Sequence, residues 1–122
     1  MSVVVRILTA LFALIALGTG GAGLLGGLGD AEVLPILDNN YRFFAGVWFT
    51  VGIGLAHCAL KLEESTHLFR LLMLAIFIGG IGRAVGMLDV VPERRMIVGT
   101  LIETVLPALL ILLQSRLLKK TT

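Results

Sequence analysis

Four long apolar segments, separated by short polar stretches, set the hydrophobic pattern of this chain. They cover residues 7–28, 43–60, 71–88 and 96–115. The only formal charges inside them are Arg83 and Glu103. A helix needs about 20 mostly apolar residues to cross the hydrocarbon core of a bilayer, so each segment predicts a transmembrane helix. No segment alternates apolar and polar residues with a period of two, which argues against a membrane β-barrel.

The connections between the apolar segments are short, at residues 29–42, 61–70 and 89–95. Short connections make consecutive helices antiparallel neighbours. We therefore predict an all-α integral membrane protein, an up-down-up-down four-helix bundle that forms a single domain over residues 1–122. The helices are expected at about residues 4–28, 41–61, 67–88 and 95–117.

The composition supports a membrane protein and argues against a nucleic-acid-binding one. Hydrophobic residues make up 57% and charged residues 15% of the 122 residues, whereas about 25% of residues are charged in a typical soluble domain. The net charge is only +2, and no basic run is interleaved with aromatic residues. We therefore expect the lipid bilayer as a partner and no nucleic acid.

Lysine and arginine near the membrane ends predict the orientation of the helices. If the first residue is inside, the inner face carries six of these residues and the outer face three. They are Arg6, Lys61, Arg70, Arg116, Lys119 and Lys120 inside, and Arg42, Arg94 and Arg95 outside. This excess predicts that both ends are cytoplasmic. An alternative is a cleaved secretory signal, with Arg6, an apolar core and the small residues 18–23, but the apolar run continues to Leu28 and is long for a signal core.

Few residues suggest catalysis, a metal or a cofactor. The lone cysteine, Cys58, lies in an apolar run and is interpreted as a small buried residue. Residues 18–23 match the G-x-G-x-x-G pattern, but they lie inside an apolar helix rather than between a strand and a helix, so close helix packing is favoured over dinucleotide binding. No Ser-His-Asp, Cys-His or paired-carboxylate arrangement is evident. We expect no metal and no cofactor, and an enzyme is the less favoured interpretation.

The charges inside the apolar segments are the main candidates for function. At a rise of 1.5 Å per residue, Arg83 lies about 7 Å and Glu103 about 12 Å below the outer helix ends. Arg42, with Asp38 and Asn39, opens the second segment on the same side. Because hydrocarbon penalises single charges, we predict that these groups meet in one cluster in the outer half of the bundle. Such a cluster is either a structural salt-bridge network or a binding or proton-handling pocket.

Glycine and proline positions add detail to this predicted cluster. Gly79, Gly80 and Gly86 share a helical face with Arg83 and would leave room for its guanidinium. Pro107 cannot donate to the carbonyl four residues earlier, which belongs to Glu103, so a kink and a free carbonyl oxygen are expected there. Trp48, in the middle of the second segment, is predicted to line a pocket or to pack in the core rather than to anchor at the interface.

Three blocks of sequence resemble a known family over nearly the whole chain. The first runs over residues 38–48 (DNNYRFFAGVW), the second is Gly79-Gly80-Ile81-Gly82-Arg83, and the third is Glu103 with Pro107. They resemble the DUF4345-like family of small bacterial membrane proteins, which is more distantly similar to the DoxX-like proteins. The resemblance implies a compact four-helix membrane fold in the bacterial inner membrane, with the motif residues drawn together. It implies no activity, substrate or cofactor.

Three functions are compatible with these features. The first is binding of a small lipophilic molecule with a polar head, oriented by Arg42 and Arg83, with Glu103 as a possible acid or base. The second is an accessory or assembly subunit of a larger membrane complex, because small residues in the first helix favour helix contacts. The third is a small proton or ion transporter, for which 122 residues is a short chain. The further candidate partners are thus a lipophilic small molecule or other membrane subunits.

Overall fold

The described part of the chain is entirely helical. A computed structural model describes residues 2–29 and 32–121, and no strand occurs among them. The helices are α1 (Ser2–Gly26), α2 (Pro35–Leu60), α3 (Thr66–Gly86) and α4 (Arg94–Thr121). All four are long and apolar enough to cross a membrane. The predicted all-α class with four membrane-length helices is confirmed.

Several helix boundaries differ by a few residues from those expected, and two of the differences have a clear local cause. Helix α1 ends at Gly26 rather than near residue 28, because Gly27 takes the left-handed conformation (φ +60°) that terminates helices. Helix α2 begins at Pro35 rather than near residue 41. Proline suits the first helical turn, since its missing N–H has no helical partner there. As a consequence, Asp38 and Asn39 belong to the first turns of α2 and not to a loop.

The chain divides into two compact units, and the first, residues 6–66, is called the α1–α2 unit. Its two helices run antiparallel and approach closely at glycines of α1. A Cβ at Gly20 would lie 2.7 Å from the backbone nitrogen of Phe49, and one at Gly23 would lie 2.9 Å from Cβ of Ala45. The G-x-G-x-x-G pattern lies wholly inside α1. Gly20 and Gly23 allow the close helix packing expected for it, whereas a Cβ at Gly18 would meet nothing within 4 Å.

The second unit, called the α3–α4 unit, joins residues 67–121 to residues 2–5. Helices α3 and α4 also run antiparallel, because Arg70 near the start of α3 bonds Gln114 near the end of α4, whereas Met87, just beyond α3, accepts a weak bond from Thr100. Five of the residues buried along these two helices are Phe69, Met73, Ile76, Pro107 and Leu110.

Large apolar side chains are exposed on all four helices. Examples are Leu14, Leu25, Phe44, Leu60, Leu71 and Leu112, each more than 60% exposed. Large apolar side chains exposed in such number favour an apolar solvent, and helices satisfy their own backbone hydrogen bonds within lipid. The chain is therefore a multi-pass membrane protein whose apolar helices suit a lipid bilayer.

Candidate functional site

Asp38 and Arg42 form an ion pair that closes the end of α1. Nε of Arg42 donates to Oδ2 of Asp38 at 2.8 Å, one helical turn away. Nη1 of Arg42 donates to the carbonyl oxygens of Leu24 and Leu25 at 3.1 and 2.9 Å. The other carboxylate oxygen of Asp38 accepts the backbone N–H of Leu28 at 2.8 Å. Because the last carbonyls of a helix lack helical donors, this arrangement supplies donors where α1 needs them.

Gly27 makes this closure possible. Its positive φ is a conformation that residues with a side chain rarely adopt. A Cβ at this position would also overlap the Asp38 carboxylate and come within 2.7 Å of Nη2 of Arg42. The turn after α1 and the Asp38–Arg42 pair therefore depend on the same glycine.

Trp48 and Asn39 lie near this closure in sequence but have different surroundings. The indole Nε1–H of Trp48 donates to Oγ1 of Thr19 at 2.9 Å, and the Thr19 hydroxyl donates to the carbonyl of Ile15 at 2.6 Å. The polar end of Trp48 is thus satisfied by α1. Asn39 is exposed and makes no side-chain hydrogen bond among residues 2–29 and 32–121.

Arg83 and Glu103 form the second ion pair of the predicted set. Arg83 lies in the last turn of α3, and its Nε donates to Oε2 of Glu103 at 2.5 Å. The carboxylate is mostly covered, with 18% of its side chain exposed, whereas 56% of the Arg83 side chain is exposed. The only bond of this guanidinium among the described residues is the one to Glu103. The remaining N–H donors of Arg83 can therefore bind an acceptor from outside.

Backbone packing beside Glu103 holds the two helices close together at this pair. Pro107 lies inside α4 and removes the helical donor to the Glu103 carbonyl. A Cβ on Gly80 of α3 would lie 2.8 Å from that carbonyl oxygen and 2.6 Å from Cγ2 of Thr104. By contrast, a Cβ at Gly79 or at Gly86 would meet nothing within 4 Å. Of these three glycines, only Gly80 is needed for the approach of α4.

A small cavity opens beside Arg83. Its volume is about 200 Å³, and it is lined by Arg83, Gly86, Met87 and Met96. Sites for whole drug-sized ligands enclose roughly 300–1,000 Å³, so this cavity suits the polar head of a molecule rather than all of it. Methionine walls are flexible and polarisable and adapt to different shapes.

Of the six predicted site residues, the four charged ones form two pairs, Asp38 with Arg42 and Arg83 with Glu103, whereas Asn39 and Trp48 belong to neither. Each pair forms within one of the two compact units. A single cluster that joins all four charges stays a prediction. Among the described residues, no group of three or more His, Cys, Asp or Glu side chains is placed to hold a metal ion.

Sequence reasoning missed a contact at the start of α1. Nη1 of Arg6 donates to the carbonyls of Ala59 and Leu60 at 2.8 and 3.1 Å, and Nη2 bonds the Glu63 carboxylate. This hydrogen bond is the main reason why the pKa of Glu63 lies below its ordinary value. The signal was available, because Arg6 precedes an apolar segment and Glu63 follows one.

A second missed contact lies at the start of α3. Nε of Arg70 donates to Oε1 of Gln114 at 3.2 Å, and its Nη2 reaches Oγ of Ser115 at 3.4 Å. Gln114 is an amide at the end of an apolar segment and only 2% exposed. An amide inside an apolar segment needs a hydrogen-bond partner, so the sequence indicated that Gln114 has one but not that Arg70 provides it.

Comparison with known proteins identifies the family. The model of a family described as a domain of unknown function (DUF4345) matches residues 4–114. The chain belongs to the DUF4345 family. No curated protein and no solved structure matches it. The matched range includes the Asp38–Arg42 and Arg83–Glu103 pairs of this DUF4345 chain. The family description names no activity, so the function has to be argued from the residues.

Proposed function

We propose that this DUF4345 protein binds a small lipophilic molecule whose polar head lies at Arg83 and Glu103 and whose apolar tail lies along the helices. The observation that carries the proposal is the cavity of about 200 Å³ that Arg83 lines. It combines a charged donor group with apolar walls, which is the usual composition of a small-molecule site.

The chemistry of the pair supports a head with acceptor oxygens. A guanidinium carries five N–H donors, and Glu103 accepts from Nε alone. The Nη groups of Arg83 are therefore available to a carbonyl, carboxylate or phosphate. The partly covered Glu103 holds the guanidinium in one orientation, which reduces the entropy lost when a ligand binds.

The remaining predicted site residues support a structural role instead. Asp38 and Arg42 use their polar atoms to close the end of α1, and the indole of Trp48 bonds Thr19. Asn39 is exposed beside them. The proposed head site therefore consists of Arg83 and Glu103, with Gly86, Met87 and Met96 as its walls.

Native mass spectrometry of the gently extracted protein tests this proposal. Wild-type protein is expected to retain a small lipophilic molecule, and Arg83→Leu is expected to lose it. Because Arg83→Leu leaves Glu103 unpaired, the double variant Arg83→Leu/Glu103→Leu is the cleaner test. Arg95→Gln removes one exposed positive charge from the first turn of α4 and should retain the molecule. Retention by the folded double variant would show that the head binds elsewhere or not at all.

The accessory-subunit alternative loses part of its support. That alternative relied on small residues of the first helix as a surface for another subunit. However, Gly20 and Gly23 of α1 already pack against α2 of the same chain. Cross-linking in native membranes distinguishes the two proposals, since a heterologous product formed through α1 would favour the subunit. The transporter alternative predicts pH or ion flux in purified vesicles.

We also propose a bacterial inner-membrane location with both chain ends in the cytoplasm. The excess of Lys and Arg at the proposed inner face supports the orientation. A reporter that is active only in the cytoplasm, fused after Thr122, is expected to be active. Activity of a periplasm-specific reporter at the same position would reverse the orientation.

A further inference from the structure

The end of the α3–α4 unit farthest from the proposed head site carries a cation bonded only to neutral groups. Arg70 bonds the amide of Gln114 and reaches the hydroxyl of Ser115, both neutral groups. Within this unit, no carboxylate pairs with Arg70 or with Arg116 in the described residues. The sequence after Glu103 contains no Asp or Glu at all. Among the described residues of this unit, no carboxylate therefore offsets the charge of Arg70 beside α4.

Gln114 adds a donor that lacks an acceptor. Its side chain is buried, with 2% exposure, and its Nε2 has no hydrogen-bond partner among the described residues. The orientation of the amide is fixed, because a flipped amide would place an N–H donor against Nε–H of Arg70. Since Nε2 and Oε1 belong to the same amide, the unpaired donor lies next to the atom that Arg70 bonds. A buried unpaired donor is costly, so an acceptor is expected here.

We propose that Arg70, Gln114 and Ser115 bind the phosphate group of an anionic phospholipid. A phosphate supplies the acceptor oxygens and the negative charge that this group of donors lacks. These residues lie near the start of α3 and near the end of the apolar part of α4. That is the depth at which a membrane-spanning helix meets the lipid headgroups.

A simpler explanation accounts for only part of these observations. Lys119 and Lys120 lie in the last turn of α4, where cations complement the helix dipole without any ligand. That explanation covers charges at the helix end. It does not explain a buried amide donor without a partner, nor an arginine of α3 that bonds only neutral groups. A lipid phosphate accounts for both.

The test compares phosphatidylglycerol with phosphatidylcholine of the same acyl chains, bound to the full-length protein and measured by native mass spectrometry. Wild-type protein is expected to prefer phosphatidylglycerol by about tenfold. Gln114→Glu should abolish this preference, because the new carboxylate pairs with Arg70 and repels the phosphate. Arg95→Gln changes the net charge by the same amount at the opposite end of α4 and should leave the preference intact.

The remaining outcomes each decide the question. Gln114→Leu removes the unpaired donor without adding charge, and it replaces the glutamate variant if that variant fails to fold; it too should weaken the preference. Equal binding of the two lipids, or an unchanged preference in a folded Gln114 variant, overturns the proposal. Displacement of phosphatidylglycerol by excess inorganic phosphate would identify free phosphate as the source and overturn the lipid assignment.

Discussion

Arg6 and Arg42 close opposite ends of the α1–α2 unit in the same way. Arg6 of α1 bonds the last carbonyls of α2, at Ala59 and Leu60, and Arg42 of α2 bonds the last carbonyls of α1. Each guanidinium also pairs with one carboxylate, Glu63 for Arg6 and Asp38 for Arg42. A cation at a helix C-terminus supplies missing donors and complements the helix dipole. The same type of contact thus stabilises both ends of the α1–α2 unit.

Replacement of Arg42 should therefore lower the stability of the α1–α2 unit. Arg42→Leu leaves the Leu24 and Leu25 carbonyls without their side-chain donor and leaves the Asp38 carboxylate with only the N–H of Leu28. Hydrogen bonds to charged groups contribute about 1.5–3 kcal/mol each when well buried. Because Arg42 is 42% exposed, we expect a smaller total loss, on the order of 1–2 kcal/mol in the free energy of unfolding.

Unfolding of Arg42→Leu in detergent micelles, followed by circular dichroism, measures this loss. Asn39→Ala is the matched control, because Asn39 lies in the same turns of α2 and is exposed. The control should unfold like wild type. Equal stability of the two variants would mean that the contacts of Arg42 at the end of α1 contribute nothing to the free energy of unfolding.

Replacement of glycine by alanine should have opposite effects on stability at Gly79 and Gly80, two neighbouring positions of α3. A Cβ at Gly80 would lie 2.8 Å from the Glu103 carbonyl oxygen, whereas one at Gly79 would meet nothing within 4 Å. Gly80→Ala should destabilise the α3–α4 unit by about 1–3 kcal/mol through overpacking. Gly79→Ala should be neutral or stabilise by up to about 1 kcal/mol, because alanine favours the helix.

Unfolding of the two variants under the same conditions measures this difference. Because both replace glycine with alanine, any difference in stability comes from the surroundings of the two positions. The separation of α3 and α4 at Gly80 also sets the reach of Arg83 to Glu103. Gly80→Ala is therefore expected to reduce retention of the proposed ligand as well. If Gly79→Ala proved the more harmful variant, the packing described for α3 and α4 would be incorrect.

The pH dependence of stability should include a contribution from Glu63. The hydrogen bond from Arg6 is the largest cause that lowers the pKa of Glu63 from its ordinary value of 4.5. A carboxyl group whose pKa is lower in the folded state stabilises the fold above its unfolded pKa. That contribution is lost as the pH falls below 4.5 and through the lowered pKa.

Glu63→Gln should therefore reduce the difference in melting temperature between neutral and acidic pH. Glu64→Gln is the control at the adjacent position, where Lys61 is the ion-pair partner at 3.8 Å. The control should preserve the wild-type pH profile. A profile unaltered by Glu63→Gln would show that the contact with Arg6 has no influence on stability.

The sequence was sufficient for the helices but not for their partners. The length and apolar character of each segment determine a transmembrane helix locally, so the four helices were predictable. Gly79 and Gly80 are adjacent and identical in sequence, and only the approach of α4 distinguishes them. Likewise, nothing near Arg70 in the sequence indicates Gln114, because the contact depends on how far α3 and α4 are shifted along each other.

Single and double variants of Arg83 and Glu103 distinguish a structural role of this ion pair from a role in ligand binding. Arg83→Leu alone leaves the partly covered Glu103 without its counter-ion, and Glu103→Leu alone leaves the guanidinium without its acceptor. Breaking a buried pair costs about 3–5 kcal/mol, whereas replacing both partners with apolar residues is often neutral. Because Arg83 is more than half exposed, we expect each single variant to lose less, about 1–2 kcal/mol.

The double variant should recover most of that loss, because two leucines suit a helix surface in contact with lipid. A double-mutant cycle of unfolding free energies measures the coupling, which we expect at about 1–2 kcal/mol. The same double variant should still lack the lipophilic molecule, since no donor for the head remains. Recovered stability together with a retained molecule would assign the pair a structural role only, and a coupling near zero would mean that the two side chains act independently.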